Sequence, residues 1–254
     1  MKLRYVVADP TGNITALVLP ELPKEYRKQA VKKLLTGKVE QVGFVEMPPV
    51  GFDGALTMMG GEFCGNATMS LGAYLCRYEG IFPGAQKLKI SGASEPVFCT
   101  VEKSEEGYRG TVSLQKPEKI EKRTLPGFSE EVTVVTFAGI THVLCSRNVL
   151  KNPDALAVTW CEFLNAEALG VLALSENWDA MEPVVYVPAS GSLVHESCCG
   201  SGSAAVGAAL ARKEGRDVVL PLSQPGGVLT VRAGGKDVSI SGTVKLSEIL
   251  ETEI

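Results

Sequence analysis

Histidine is almost missing from this chain: 254 residues contain two, His142 and His195. There is no Cys-x-x-Cys pair, and adjacent Cys198 and Cys199 make a poor chelate, so no metal site is expected. Positive charge is not in excess either. Lys and Arg total 25 against 29 Asp and Glu, a net charge of −4, which leaves no concentrated basic surface for nucleic acid. The one basic stretch, Lys24 to Lys38, alternates with apolar residues at helical spacing and reads as the solvated face of a surface helix. No apolar run is long enough to span a bilayer, and no secretory leader is expected. No Gly-x-Gly-x-x-Gly opens a strand-to-helix turn, and no cofactor is expected. Cysteine, by contrast, is plentiful. Seven residues, an odd number, do not suggest a disulfide framework and fit a reducing cytoplasm.

Two of the seven sit in near-copies of one phrase. Cys64 lies in Gly61-Glu62-Phe63-Cys64-Gly65-Asn66-Ala67-Thr68, and Cys199 in Glu196-Ser197-Cys198-Cys199-Gly200-Ser201-Gly202-Ser203. Other segments repeat in the same order. Val42-Gly43-Phe44-Val45 answers Leu169-Gly170-Val171-Leu172, and Gly110-Thr111-Val112-Ser113-Leu114 answers Gly242-Thr243-Val244-Lys245-Leu246. The spacing predicts two like domains, 1–120 and 130–254, joined by a polar, Pro-marked linker at 121–129. The last residues could return to the first lobe.

Within each half the pattern predicts the same order of elements. In the first, strands at Arg4–Ala8 and Ile14–Val18 precede a surface helix at Lys24–Thr36 that stops at Gly37. Strands at Gln41–Glu46 and Gly54–Met58 lead to a helix from Cys64 to about Tyr78. In the second, strands at Val132–Thr136 and Thr141–Cys145, a helix at Asp154–Leu164, and strands at Ala168–Leu174 and Pro183–Val187 lead to a helix from Gly200 to about Lys213. Both central helices are apolar nearly all round, which predicts burial on most sides. The expected class is α+β, with a mixed sheet wrapped around each helix and an active site in the cleft between the domains.

Each Cys-Gly step places a thiol at a helix N-terminus, where unpaired N–H groups and the helix dipole favour a thiolate. Two such groups, one per half, suggest an acid and a base on opposite faces of one substrate carbon, which is what inversion without a cofactor needs. A substrate carboxylate would suit the same helix ends, walled by Asn66, Ser201, Gly200 and Gly202, with Gly65 a further substrate-binding candidate. The remaining cysteines Cys76, Cys99, Cys145 and Cys161 read as small buried hydrophobes; Cys198 is left open.

These residues resemble the diaminopimelate epimerase superfamily, cofactor-independent amino-acid racemases and epimerases with one catalytic cysteine per lobe. Within it, Pro10-Thr11-Gly12-Asn13, Glu40-Gln41-Val42-Gly43-Phe44-Val45-Glu46, the run Glu62 to Ser70, Cys199-Gly200-Ser201-Gly202 and Gln224-Pro225-Gly226-Gly227 are most similar to the histidine racemases of opine-metallophore biosynthesis. The resemblance implies Cys64 and Cys199 as the two bases. It also implies Asn13 and Asn66 as holders of the amino-acid backbone, and Glu196 as a further site residue. His142, in Gly139-Ile140-Thr141-His142, resembles the Gly-Asn-Pro-His segment of diaminopimelate epimerase without its Asn-Pro. Glu46, at the end of its strand, would accept an imidazole N–H if it reached the cleft. Val187 to Glu196 holds no Arg or Lys to grip a second carboxylate, against diaminopimelate as substrate. Diaminopimelate epimerase, a broad amino-acid racemase and a catalytically inactive binding relative remain as alternatives. The expected partner is a free amino acid; a homodimer is compatible with the reading.

Overall fold

The computed structural model describes residues 1–20, 22–235 and 237–254. The chain forms two compact units. One comprises Met1–Ser113 with Ser241–Ile254, the other Leu114–Ile240.

The first unit begins with β1 (Lys2–Pro10) and β2 (Thr15–Val18), a short 3-10 turn at Lys24–Tyr26, α1 (Arg27–Leu34), β3 (Gln41–Glu46) and β4 (Gly54–Met58). Then follow α2 (Gly65–Tyr78), β5 (Gly84–Ile90), β6 (Val97–Ser104) and β7 (Gly107–Leu114). β1 and β2 run antiparallel, β2 and β3 parallel, β3 and β4 antiparallel. α1 buries Ala30 and Leu34 against Leu3, Val18, Val42 and Phe44 of the sheet. α2 touches β1, β2, β4, β5 and β6, so the sheet wraps around it. Every residue from Gly65 to Leu75 is buried. Contact is close enough that a Cβ on Gly72 would stand 2.7 Å from Val101 Cγ2.

The second unit holds β8 (Lys119–Thr124), β9 (Glu131–Phe137), β10 (Ile140–Ser146), α3 (Pro153–Leu164), β11 (Leu169–Leu174), β12 (Met181–Val187) and β13 (Ser192–His195). It continues through α4 (Gly200–Glu214), β14 (Val218–Gln224), β15 (Gly227–Ala233) and the start of β16 (Val238–Leu246). The pairing repeats that of the first unit: β9 and β10 antiparallel, β10 and β11 parallel, β11 and β12 antiparallel. α3 covers one face with Ala157, Trp160 and Cys161, packed on Val134, Val143 and Val171. α4 is buried against β14 and β15 on its other side, and a Cβ on Gly207 would stand 2.4 Å from Val231 Cγ1. The rest of β16 lies antiparallel to the end of β1, and β17 (Leu250–Glu253) pairs with its beginning.

The structure differs from the expected linker. Residues 119–124 form β8, antiparallel to β9 at the edge of the six-stranded sheet. Its Lys, Glu and Arg side chains give a linker-like composition, but charge is also how an exposed strand edge is kept from pairing with other chains. Among the described residues no helix is long and apolar enough to cross a membrane.

Candidate active site

Cys64 and Cys199 occupy the same local position. Each is the N-cap of its helix in an extended conformation, φ −134° and −104° respectively. Each Sγ accepts from the amide three residues on, Ala67 N at 3.4 Å and Gly202 N at 3.3 Å. Behind each, a hydroxyl four residues along donates to the cysteine carbonyl, Thr68 at 2.7 Å and Ser203 at 2.6 Å. A sulfur thus fills the capping role usually taken by Ser, Thr, Asn or Asp oxygen.

Around Cys64, the thiol donates to Gln41 Oε1 at 3.3 Å. Gln41 Nε2 donates to Asn13 Oδ1 at 2.5 Å and to Thr15 Oγ1 at 2.7 Å. Asn13 Nδ2 in turn donates to Glu40 Oε2 at 2.8 Å. Asn13 and Asn66 are both buried, Asn66 in the first turn of α2 beside Gly65.

Around Cys199, Ser201 Oγ lies 3.6 Å from Sγ and 3.0 Å from His142 Nε2. Gln224 Oε1 accepts the Cys199 amide at 2.7 Å, and its Nε2 donates to Ser203 Oγ at 2.9 Å. Glu196 accepts a hydrogen bond from the Cys199 side chain. The structure therefore gathers Cys199, Gly200, Ser201, His142 and Glu196 at one helix end. Cys198 is buried beside them.

The expected low-pKa thiolate does not hold at Cys199. Burial pushes this thiol well up, and the charge and hydrogen bond of Glu196 push the same way. The Gly202 amide and Ser201 hydroxyl pull down, and lose. Desolvation in a site only 4% exposed outweighs one helix end. Cys76, Cys99, Cys145 and Cys161 are also raised, burial being the largest cause in each.

His142 is fully buried on β10 with its ring against Gly170 of β11, where a Cβ would stand 2.3 Å from Nδ1. Burial holds its pKa down at about 3 against the ordinary 6.5. Below pH 6.5 the unfolded chain takes up a proton that the folded chain refuses until about pH 3. The stability this neutral imidazole permits is whole above pH 6.5 and drains away as pH falls towards 3. Melting temperatures are expected to decline through that window and to decline less in His142→Gln; parallel curves would contradict the assignment.

Glu46 is placed elsewhere than a site beside Cys64. It lies five residues along β3 from Gln41, roughly 17 Å at strand spacing, and on the opposite face. Its Oε1 accepts from Arg27 at 3.0 Å and from Thr57 at 2.6 Å. Burial raises this carboxyl, but those two bonds and the charges of Arg27 and Lys24 leave it below the usual range. The sequence alone does not mark Glu40, Gln41 or Gln224 as site residues. Gln41 and Gln224 lie within recognisable segments, but nothing in a linear reading tells that their amides turn towards the thiols.

The family described as the histidine racemase CntK N-terminal domain matches residues 2–249. A histidine racemase of Fusobacterium nucleatum is 26% identical over 96% of this chain and 94% of its own. One of Staphylococcus aureus is 29% identical over 78% of this chain and 76% of its own. Among solved structures, a phenazine biosynthesis PhzF-family protein of Enterococcus faecalis superposes with a TM-score of 0.70 at 18% identity, covering all of both chains. A probable proline racemase of Agrobacterium radiobacter superposes at 0.71 with 12% identity, over 98% of this chain and 93% of that one. These last two show the fold. With its two cysteine-capped helices and a family match over nearly its whole length, the chain is an isomerase and belongs to the histidine racemase family.

Proposed function

We propose that the protein interconverts L- and D-histidine by a two-base mechanism without a cofactor, Cys64 and Cys199 serving opposite faces of the α-carbon. The observation that carries this reading is the duplicated cysteine N-cap, Sγ on the Ala67 amide in one unit and on the Gly202 amide in the other. Glu196 gives Cys199 somewhere to send its proton. When the thiol proton moves to that carboxylate, the single negative charge moves to sulfur, and the thiolate can take the α-proton of the substrate. Cys64 delivers its thiol proton to the other face. After product leaves, Glu196 releases its proton and Cys64 regains one from solvent. The first-turn amides of α2 and α4 would receive the substrate carboxylate, with Asn13 and Asn66 holding the amino-acid backbone. Seven cysteines outside any disulfide suit a reducing compartment, and we place the reaction in the cytoplasm, supplying D-histidine to opine-metallophore assembly.

The test is α-hydrogen exchange in deuterated water, followed by NMR and optical rotation for histidine, alanine and diaminopimelate. Histidine is expected to exchange and racemise fastest. Faster turnover of diaminopimelate would replace the substrate. Exchange with no amino acid would mean a binding relative that has kept the fold.

A further inference from the structure

The four groups behind Cys64 are joined by hydrogen bonds whose direction is fixed at the far end. A carboxylate only accepts, so Glu40 compels Asn13 to turn its Nδ2 outward, 2.8 Å away. Asn13 Oδ1 is then left to accept from Gln41 Nε2 at 2.5 Å. A second constraint acts on the same amide. Thr15 spends its own proton on the Asn13 carbonyl at 3.1 Å, so its hydroxyl can only accept from Gln41, at 2.7 Å. With both Nε2 hydrogens committed, Gln41 presents its carbonyl oxygen to the sulfur 3.3 Å away. A thiol can donate there; a thiolate would face a lone pair.

From this we infer that Glu40, acting through Asn13 and Gln41, holds Cys64 in its thiol form, so that Cys64 enters the cycle as the proton donor. This rests on the two-base reading and assigns its starting state. Glu40 and Gln41 are positioning residues. The two thiols are treated differently: Cys199 hydrogen-bonds a carboxylate that can accept a proton, whereas Cys64 bonds a neutral amide oxygen that cannot. The Ala67 amide on Sγ pulls towards thiolate, and charged residues stand on the elements packed against α2: Lys2 and Arg4 on β1, Lys87 and Lys89 on β5, Glu102 and Lys103 on β6, with Glu62 just before the helix. β2 and β4 contain no charged residue, and Glu46 sits at the far end of β3. The first turn of α2 holds no acidic residue, and Asp9 of β1 accepts the Gly12 amide at 2.6 Å.

The experiment measures iodoacetamide alkylation of Cys64 in the intact, substrate-free chain by peptide mass spectrometry. It spans about pH 6 to 10, because the thiolate is the reacting form. Gln41→Leu is expected to speed alkylation about fivefold at the acid end, the worth of one ordinary neutral hydrogen bond, with the alkaline plateau unchanged. Glu40→Gln can reverse the chain, since its amide donates as well as accepts, and is expected to act in the same direction by about twofold to threefold. The double variant should match Gln41→Leu alone, because the influence of Glu40 passes through that amide. A raised plateau would report access rather than protonation and overturn the inference. So would multiplicative effects of the two substitutions, which would mean that Glu40 acts through space. Glu40→Gln is nearly isosteric at a half-buried position and guards against a folding defect in Gln41→Leu. No substrate is present, so these outcomes stand apart from whether histidine is racemised.

Discussion

Cys64→Ser and Cys199→Ser are each expected to lose at least about a hundredfold in racemisation, the scale of a positioned acid or base. Serine keeps the cap. Its oxygen can accept from Ala67 N or Gly202 N as the sulfur does now, so the melting temperature should hardly move. What disappears is a proton carrier that can be ionised near neutrality, because an aliphatic hydroxyl is far too weak an acid. The two variants need not fail alike. One that can no longer complete inversion can still exchange the α-hydrogen on the face served by the remaining thiol. Deuterium incorporation without change of optical rotation would therefore mark a half-site. Near-full turnover in either variant would end the two-base reading.

Gly92→Ala is expected to cost about 3 kcal/mol or more of stability, a fall in melting temperature of roughly 6–12 °C for a chain of this size. It should also cost tenfold to a hundredfold in rate. Gly92 follows β5 at φ +71°, and a Cβ there would stand 2.2 Å from Phe63 N and 2.6 Å from the Glu62 carbonyl carbon. Backbone cannot swing aside as a side chain can. Beside it, Ser91 Oγ donates to the Glu62 carbonyl at 2.8 Å, tying the same segment to the strand. Phe63 precedes Cys64, so the displacement reaches the sulfur, and misplacement of about 1 Å is enough for a hundredfold loss. Gly37→Ala supplies the control. It has a similar φ of +63° with nothing within 4 Å of the added carbon, and should cost about 1 kcal/mol with full activity. Equal losses in the two variants would show that backbone strain, not the contact with Phe63, is responsible.

Much of the fold can be read from periodicity. β3 and β4 fall on the residues expected, because short apolar runs bounded by Gly, Pro and charge leave little choice of register. Both central helices begin where Cys-Gly predicts. The pattern does not predict β8, β13 or β17. Each is short, half or more exposed and held by a neighbour distant in sequence or by an edge, so its own composition carries little signal. The two cysteines stand out through duplication, yet their protonation does not, because desolvation depends on everything packed around the sulfur. Glu46 illustrates the same limit from the other side. Its place in a familiar segment is legible, but its partner Arg27 comes from another element nineteen residues earlier.

The first unit is closed by residues 241–254, which leave the ribosome only after the whole of the second unit. Until they emerge, β1 is paired only with β2, and the edge later taken by β16 and β17 is open. The second unit is continuous, from 114 to 240, and can complete itself first. Synthesis thus passes through a stage in which a finished domain trails an unfinished one with a bare strand edge, the species most exposed to aggregation. Chains halted just before residue 241 should be protected from protease across the second unit and cut readily in β1.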